Sequence, residues 1–271
     1  MPVPTPLRAA LLASWGSALL SGDADVDDVV GAVEGVDEPH LVVDGTLSEP
    51  DELGSWLDGL RGTGVVGLRL ALPAPGDPLG LVGPPEANRV AMAAGEAVVA
   101  VPGSAAADVT MLVPDICTFG PAGDQGHCVT WRCHQASGAW PDVPTLAQAD
   151  RELGEQLRES TGTLASLGTT SWRADASAVA AHLRGATRSF VLPDSAGPRA
   201  EAVAQRAVGV LAILDAARED DGGAITSHVA QARAASLSPL DRAARRALVA
   251  AAGASMHAAL RAVASRAAVT P

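Results

Sequence analysis

The chain has 271 residues with 31 acids and 19 basic side chains, a formal net charge of −12; every basic residue is arginine, and there is no tyrosine. Without lysine there is no internal pyridoxal aldimine or other Schiff base and no phosphate-loop lysine of the Walker type, and without tyrosine no phenolic acid, so no cofactor is expected. The acids are uneven: eighteen face five arginines before residue 136, and thirteen face fourteen arginines after it.

That shift in charge predicts two parts, an acidic α/β domain over residues 1–138 and an all-α domain over residues 139–271. An acidic front repels phosphate backbones, which argues against nucleic-acid binding. Three cysteines, Cys117, Cys128 and Cys133, form no disulfide framework and fit reduced thiols in a cytoplasmic protein. No apolar run has the length of a membrane span. The segment from Arg8 through AALLASWGSALLSG resembles the front of a signal peptide, but Trp15 and three serines interrupt it. Leu7, Leu11, Trp15 and Leu19 recur every four residues, so an amphipathic helix over 6–21 is the reading taken.

In chain order, the acids from Asp23 open a short helix to Val33, and HLVVD (His40–Asp44) reads as a strand. Ser48-Glu-Pro-Asp starts a helix to Leu60, with Leu53, Trp56, Leu57 and Leu60 as its buried stripe. A strand follows over Val65–Leu72, then a Pro/Gly link, a short strand over Leu79–Val82, and a helix from Pro84 that ends at Gly95. Glu96–Val101, Asp108–Pro114 and Cys128–Gln135 read as strands joined by loops alone, which predicts a partly antiparallel sheet.

After a proline-rich linker at Trp140, Thr145-Leu-Ala-Gln forms a capping box for a helix to Leu167, with Leu146, Leu153, Leu157, Leu164 and Leu167 inward. Asp175–Arg184, Arg199–Arg218 and Ile225–Ala235 read as helices, and Ser238-Pro starts a last one to Arg266. The fold class is thus α+β: an N-terminal mixed sheet with flanking helices, then a C-terminal alanine-rich bundle of four or five helices.

Chemistry is sparse. His127, Cys128, Cys133 and His134 are zinc-type ligands in eight residues, yet a straight strand sets Cys128 and His134 about 20 Å apart. Packing is therefore expected there rather than a metal, and a Cys128–Cys133 disulfide fails on the same distance. Cys117 could act as a nucleophile only with a histidine such as His40 or His127 beside it. Arg69, Glu86, Asn88 and Arg89 are the candidate ligand-binding set, where a helix start and two arginines could hold a small carboxylate or phosphate. Arg242, Arg245 and Arg246 form a basic cluster suited to solvent or to docking on the acidic front. His182, His228 and His257 stand singly on helices.

Two functions remain. The first is a non-enzymatic binding or assembly protein, a homo-oligomer through its alanine-rich helices. The second is an enzyme or ligand-binding domain that recognises a small anionic metabolite around Arg69, Glu86, Asn88 and Arg89, with His127 as a further member. A pocket in which these side chains converge separates the second from the first.

Overall fold

The computed structural model describes residues 7–45, 49–104, 109–121, 125–137, 140, 142–166, 183, 185, 187–219, 227–258 and 260. Six strands form a single mixed sheet: β1 (Leu41–Val43), β2 (Asp51–Glu52), β3 (Val65–Ala71), β4 (Ala97–Pro102), β5 (Val109–Phe119) and β6 (Gly126–Ala136). Their spatial order is β2-β1-β6-β5-β4-β3. Only β1 and β6 run parallel; the other neighbours are antiparallel, as the short connections after residue 95 require. Four helices lie among these strands: α1 (Arg8–Ser21), α2 (Val26–Glu34), α3 (Leu53–Leu60) and α4 (Pro85–Ala94). Among the described residues the rear part contains the helices α5 (Leu146–Ser166), α6 (Pro198–Glu219) and α7 (Ser227–Ala252). This is the α+β, two-part architecture expected from the sequence. Among the described residues no helix is long and apolar enough to cross a membrane.

One core joins the two parts. Leu68, Leu70 and Leu72 of the β3 region, Val98, Leu112 and Trp131 from the sheet, and Leu214 and Leu248 from the rear helices belong to the same buried cluster. Helix α1 lies in its middle. Residues 8–14 and 16–19 are all buried, so the four-residue spacing of Leu7, Leu11, Trp15 and Leu19 marks no polar face. Its serines make this possible. Ser14 and Ser17 donate to the carbonyls of Ala10 and Ala13, and Ser17 Oγ also exchanges hydrogen bonds with the Leu68 backbone at 2.9 and 3.0 Å. A polar side chain is tolerated inside a core when every bond is made. Gly16 sits against Leu68, where a β-carbon would lie 2.4 Å from Leu68 Cδ1.

The opposite face of the sheet is covered by α4. Ala87 and Ala91 pack there against Ala97, Val99, Met111 and Val113. Pro85 at the helix start and Gly95 in the left-handed conformation at its end bound α4 as the sequence indicates. Between β3 and α4, residues 79–82 are buried coil rather than a strand. Leu79 pairs with Leu72 through one backbone bond, and Gly80 turns the chain with φ +86° where a β-carbon would lie 2.8 Å from Ala71 Cα. A side chain there would collide with β3 backbone, so the segment cannot extend along the sheet.

Three further boundaries differ from the sequence reading. Asp51 and Glu52 pair with β1, and the Leu53 amide donates to the His40 carbonyl, so α3 starts at Leu53 rather than beside Ser48, which lies outside the described residues. Strands β5 and β6 extend to Phe119 and Gly126, which makes them one long hairpin whose tip passes beyond α4. Pro239 lies inside α7 rather than starting a new helix. A proline removes one i→i−4 bond, a cost of about 3 kcal/mol that tertiary packing can offset. The helix expected at 175–184 and the inward positions Leu164 and Leu167 lie outside the described residues or side chains.

Two polar clusters lie within this apolar frame. In the first, Arg8 Nε meets Asp37 Oδ2 at 2.5 Å, and His40 Nε2 lies 3.2 Å from the same oxygen. Trp131 Nε1 donates to His40 Nδ1 at 3.3 Å. An indole N–H only donates, so Nδ1 is the acceptor and Nε2 carries the proton toward Asp37. Burial, and secondarily Arg8, holds the His40 pKa below its usual value despite Asp37. Burial pushes the Asp37 carboxyl up, but Arg8 and His40 outweigh it and hold it low. Nearby, Glu96 accepts from the Ala9 amide, and burial raises its pKa to about 7 against the opposing pull of that bond and of Arg8.

In the second cluster Asp77, itself buried, faces Arg242, Arg245 and Arg246 of α7 at 3.8, 3.2 and 3.5 Å. Arg245 also bonds Asp241 and the Leu72 carbonyl. The basic cluster thus docks in cis on an acid of the front part, the second of the two alternatives the sequence offered.

These clusters yield two expectations. Glu96 is protonated more readily in the folded chain than a solvent-exposed glutamate, whose pKa is about 4.5. Its contribution to stability is therefore complete below that pH and lost as pH rises through about 7. Urea titrations of Glu96→Gln should match the wild type at mildly acidic pH and exceed it at mildly alkaline pH, by on the order of 3 kcal/mol at most. Asp77→Asn keeps the turn but leaves three guanidinium groups around a neutral amide; it should lower unfolding free energy by about 3 kcal/mol in the same assay.

Candidate ligand-binding cleft

Strand β3 is the free edge of the sheet, and Arg69 lies on it opposite Val99. Its side chain reaches the junction where β3, the linker into α5 and the end of α7 meet. A cleft of about 440 Å³ opens there, with Arg69, Thr145 and His257 as its polar members. Leu70, Leu146, Val249 and Met256 supply much of the apolar wall. Small residues make the room. Ala250, Gly253 and Ala254 line the α7 side, and Gly67 lets Met256 approach where a β-carbon would lie 2.5 Å from Met256 Cγ.

The linker is fixed locally. Thr145 Oγ1 accepts from the Gln148 amide at 3.3 Å, and Gln148 Oε1 accepts from the Thr145 amide at 3.0 Å, the expected capping box of α5. This holds Val143–Leu146 along one wall. Trp140 lies under the guanidinium of Arg69, whose Cζ is 5.2 Å from the ring centroid. A guanidinium over an aromatic ring is held by the ring's quadrupole and can still present N–H groups to a carboxylate or phosphate.

The electrostatic environment of Arg69 differs from that of the arginines described above. It is half-buried, and among the described residues no carboxylate pairs with it. Burial lowers its pKa. Arg8, Arg132, Arg206 and Arg245 all meet an acid at 3.2 Å or less. A guanidinium kept from water without a counter-ion costs stability unless something else supplies one.

Of the four residues proposed from sequence, the cleft takes only Arg69. Glu86, Asn88 and Arg89 lie on α4, which packs on β5 and β6 away from the β3 edge. Glu86 and Arg89 are exposed, and Asn88 Oδ1 is buried without a hydrogen-bond partner. The four were grouped because β3 and α4 are close in sequence; sheet order separates them. Trp140, Thr145 and His257 were missed as site residues, because their convergence depends on how the rear helices dock. The capping box was the one local signal for where the linker wall would stand.

The remaining candidates lie along β6. His127, Cys128, Cys133 and His134 follow one another on a strand with no turn, facing Thr118, Cys117, Leu112 and Met111 respectively on β5. Among the described residues no three His, Cys, Asp or Glu side chains group as a metal site. Burial, with a smaller push from Asp44, raises the Cys133 thiol to about 12, and His134 Nε2 is buried without a partner. Cys117 lies inside β5 and is exposed; neither expected histidine attends it. His40 is held between Asp37 and Trp131, and His127 Nδ1 lies 3.2 Å from Thr118 Oγ1. His257 lines the cleft, and the side chains of His182 and His228 lie outside those described.

The geometry therefore defines a two-part α+β protein with an apolar cleft at the junction of its parts, lined by an arginine that pairs with no carboxylate among the described residues. The chain belongs to the Rv1486c-like protein family: the family's N-terminal domain matches residues 9–147 and its C-terminal domain residues 147–249. The two matches meet at the second residue of α5, next to Leu146 of the cleft lining. No curated protein and no solved structure matches the chain.

If Arg69 is kept for a ligand rather than for the fold, replacing it should not harm the fold. Arg69→Met should unfold in urea at the same stability as wild type, or up to about 1 kcal/mol higher. A loss well beyond that value would make the side chain a structural one.

Proposed function

We propose that this protein is a non-enzymatic binding protein for a small amphipathic anion, a carboxylate or phosphate carried on an apolar body. The observation that carries this reading is Arg69, half-buried and paired with no acid among the described residues, on the lining of an apolar cleft of about 440 Å³. That volume lies in the range of small-molecule sites, and the pattern of apolar walls with few convergent polar groups is typical of them. Arg69 would pair with the anionic head while Thr145 and His257 border it, and the wall of Leu70, Leu146, Val249 and Met256 would cover the body. Binding is the reading favoured because, among the described residues, the lining carries apolar side chains with few polar ones and no carboxylate or thiol.

Three free thiols support a reducing, cytoplasmic setting. Self-association would have to use a surface other than the one the sequence suggested. The alanines of the long helices, among them Ala204, Ala207, Ala244, Ala247 and Ala251, are buried within the chain itself.

Titration calorimetry with octanoate, decanoate and phenyl phosphate, against octanol, decanol and phenol, tests the reading. At least one anion should bind, its neutral counterpart should bind at least tenfold more weakly, and Arg69→Met should weaken the anion by about ten- to a hundredfold. Arg89→Met, outside the cleft, should leave it unchanged. Binding of acids and alcohols alike, or retained affinity in Arg69→Met, would remove the proposal.

A further inference from the structure

The far end of the β5–β6 hairpin carries a feature that the cleft does not use. Cys117 and Cys128 are direct cross-strand partners, and both thiols are exposed. In an antiparallel pair, directly opposed residues point to the same face with Cα atoms about 4.5 or 5.5 Å apart, according to the hydrogen-bonding pattern. Both values fall within the Cα separations that disulfides span. The face they share is the one that α4 covers nearer the core, but the strands run past α4 there, and residues 115–119 are all exposed. Cys133, five residues on, is different in kind: it points to the opposite face and packs against the core opposite Leu112.

We propose that Cys117 and Cys128 form a reversible cross-strand disulfide, a redox modification site that staples the projecting hairpin. The co-reactant is a small-molecule disulfide. One thiolate of the pair attacks a sulfur of that disulfide, the small-molecule S–S bond breaks, and one small thiolate leaves and takes up a proton. The second protein thiol loses its proton and attacks the mixed disulfide at the protein sulfur, which forms the Cys117–Cys128 bond and expels the second small thiolate. In sum the protein loses two protons and two electrons, and the small disulfide is reduced to two thiols. Exposure gives the first step its access, and strand register brings the resolving sulfur within reach of the second. In a reducing compartment such a bond is transient and reports the thiol–disulfide balance rather than serving as a permanent brace.

The chain's own arginines make the test clean. Trypsin cuts after Arg89 and Arg132, so Cys117 and Cys128 fall in one peptide, residues 90–132, and Cys133 begins the next. The full-length protein is incubated with oxidised glutathione or with dithiothreitol, denatured, alkylated with iodoacetamide, digested and weighed. After glutathione, peptide 90–132 should be two hydrogens lighter and carry no alkyl group, while Cys133 is alkylated. After dithiothreitol, all three cysteines should be alkylated. Cys133→Ser should reproduce the oxidised peptide, and Cys117→Ser or Cys128→Ser should leave the remaining thiol of the pair alkylated or singly glutathionylated. Two alkyl groups on peptide 90–132 after glutathione, a link from it to the Cys133 peptide, or a link to a second copy would overturn the proposal.

Discussion

Helix α1 has almost no solvent-facing side, and the rest of the structure is arranged around that constraint. A helix buried on every side must satisfy its polar side chains internally and must be approached closely by its neighbours. Ser14 and Ser17 meet the first demand through backbone carbonyls, and Gly16 and the alanines meet the second. The bond between Ser17 and the Leu68 backbone fixes α1 on β3, while the other side of the same core is closed by the rear helices. The two domains recognised by the family matches therefore share one hydrophobic interior.

Charge is used in two different ways within this frame. Arg8 enters the core at the start of α1, where Asp37, His40 and Trp131 form a closed chain of partners. Both ring nitrogens of His40 are engaged, and the ring is wholly buried, so it serves the fold and has no spare atom for acid–base work. Asp77 does the same between the parts, as the common acceptor for α7 arginines. In both clusters each arginine meets a carboxylate, and against them Arg69 stands out. Among the described residues it meets an aromatic face and no acid, on the lining of an apolar cleft. Residues that break the pattern of satisfied charge tend to mark a binding site, since stability alone would not retain them.

Much of the fold was legible in local sequence. The run of acids from Asp23, the proline at 84, the capping box at Thr145 and the glycine at 95 placed helix ends well, and loop-only connections after residue 95 pointed to the antiparallel sheet. Where the reading failed, a long-range partner had overridden a local signal. Asp51 and Glu52 were drawn to β1, Pro239 was carried inside a packed helix, and the spacing of leucines in α1 gave no hint that its serines were also buried. The site was legible only in Arg69, a charge in an apolar strand. Its companions come from residues 140, 145 and 257, and no local pattern ties those positions to residue 69. Cys117 and Cys128 likewise became a pair only once strand register was known.

The claim on which the cleft depends is that sheet and rear helices form one cooperative unit around α1. Hydrogen–deuterium exchange with peptide mass spectrometry, run at a urea concentration just below the unfolding midpoint, reads this directly. The account predicts that peptides from α1, β3 and α7 lose protection together, at the rate of global unfolding. Early exchange of α6 and α7 while α1 and β3 stay protected would contradict it, and would mean that the two domains meet only at a surface.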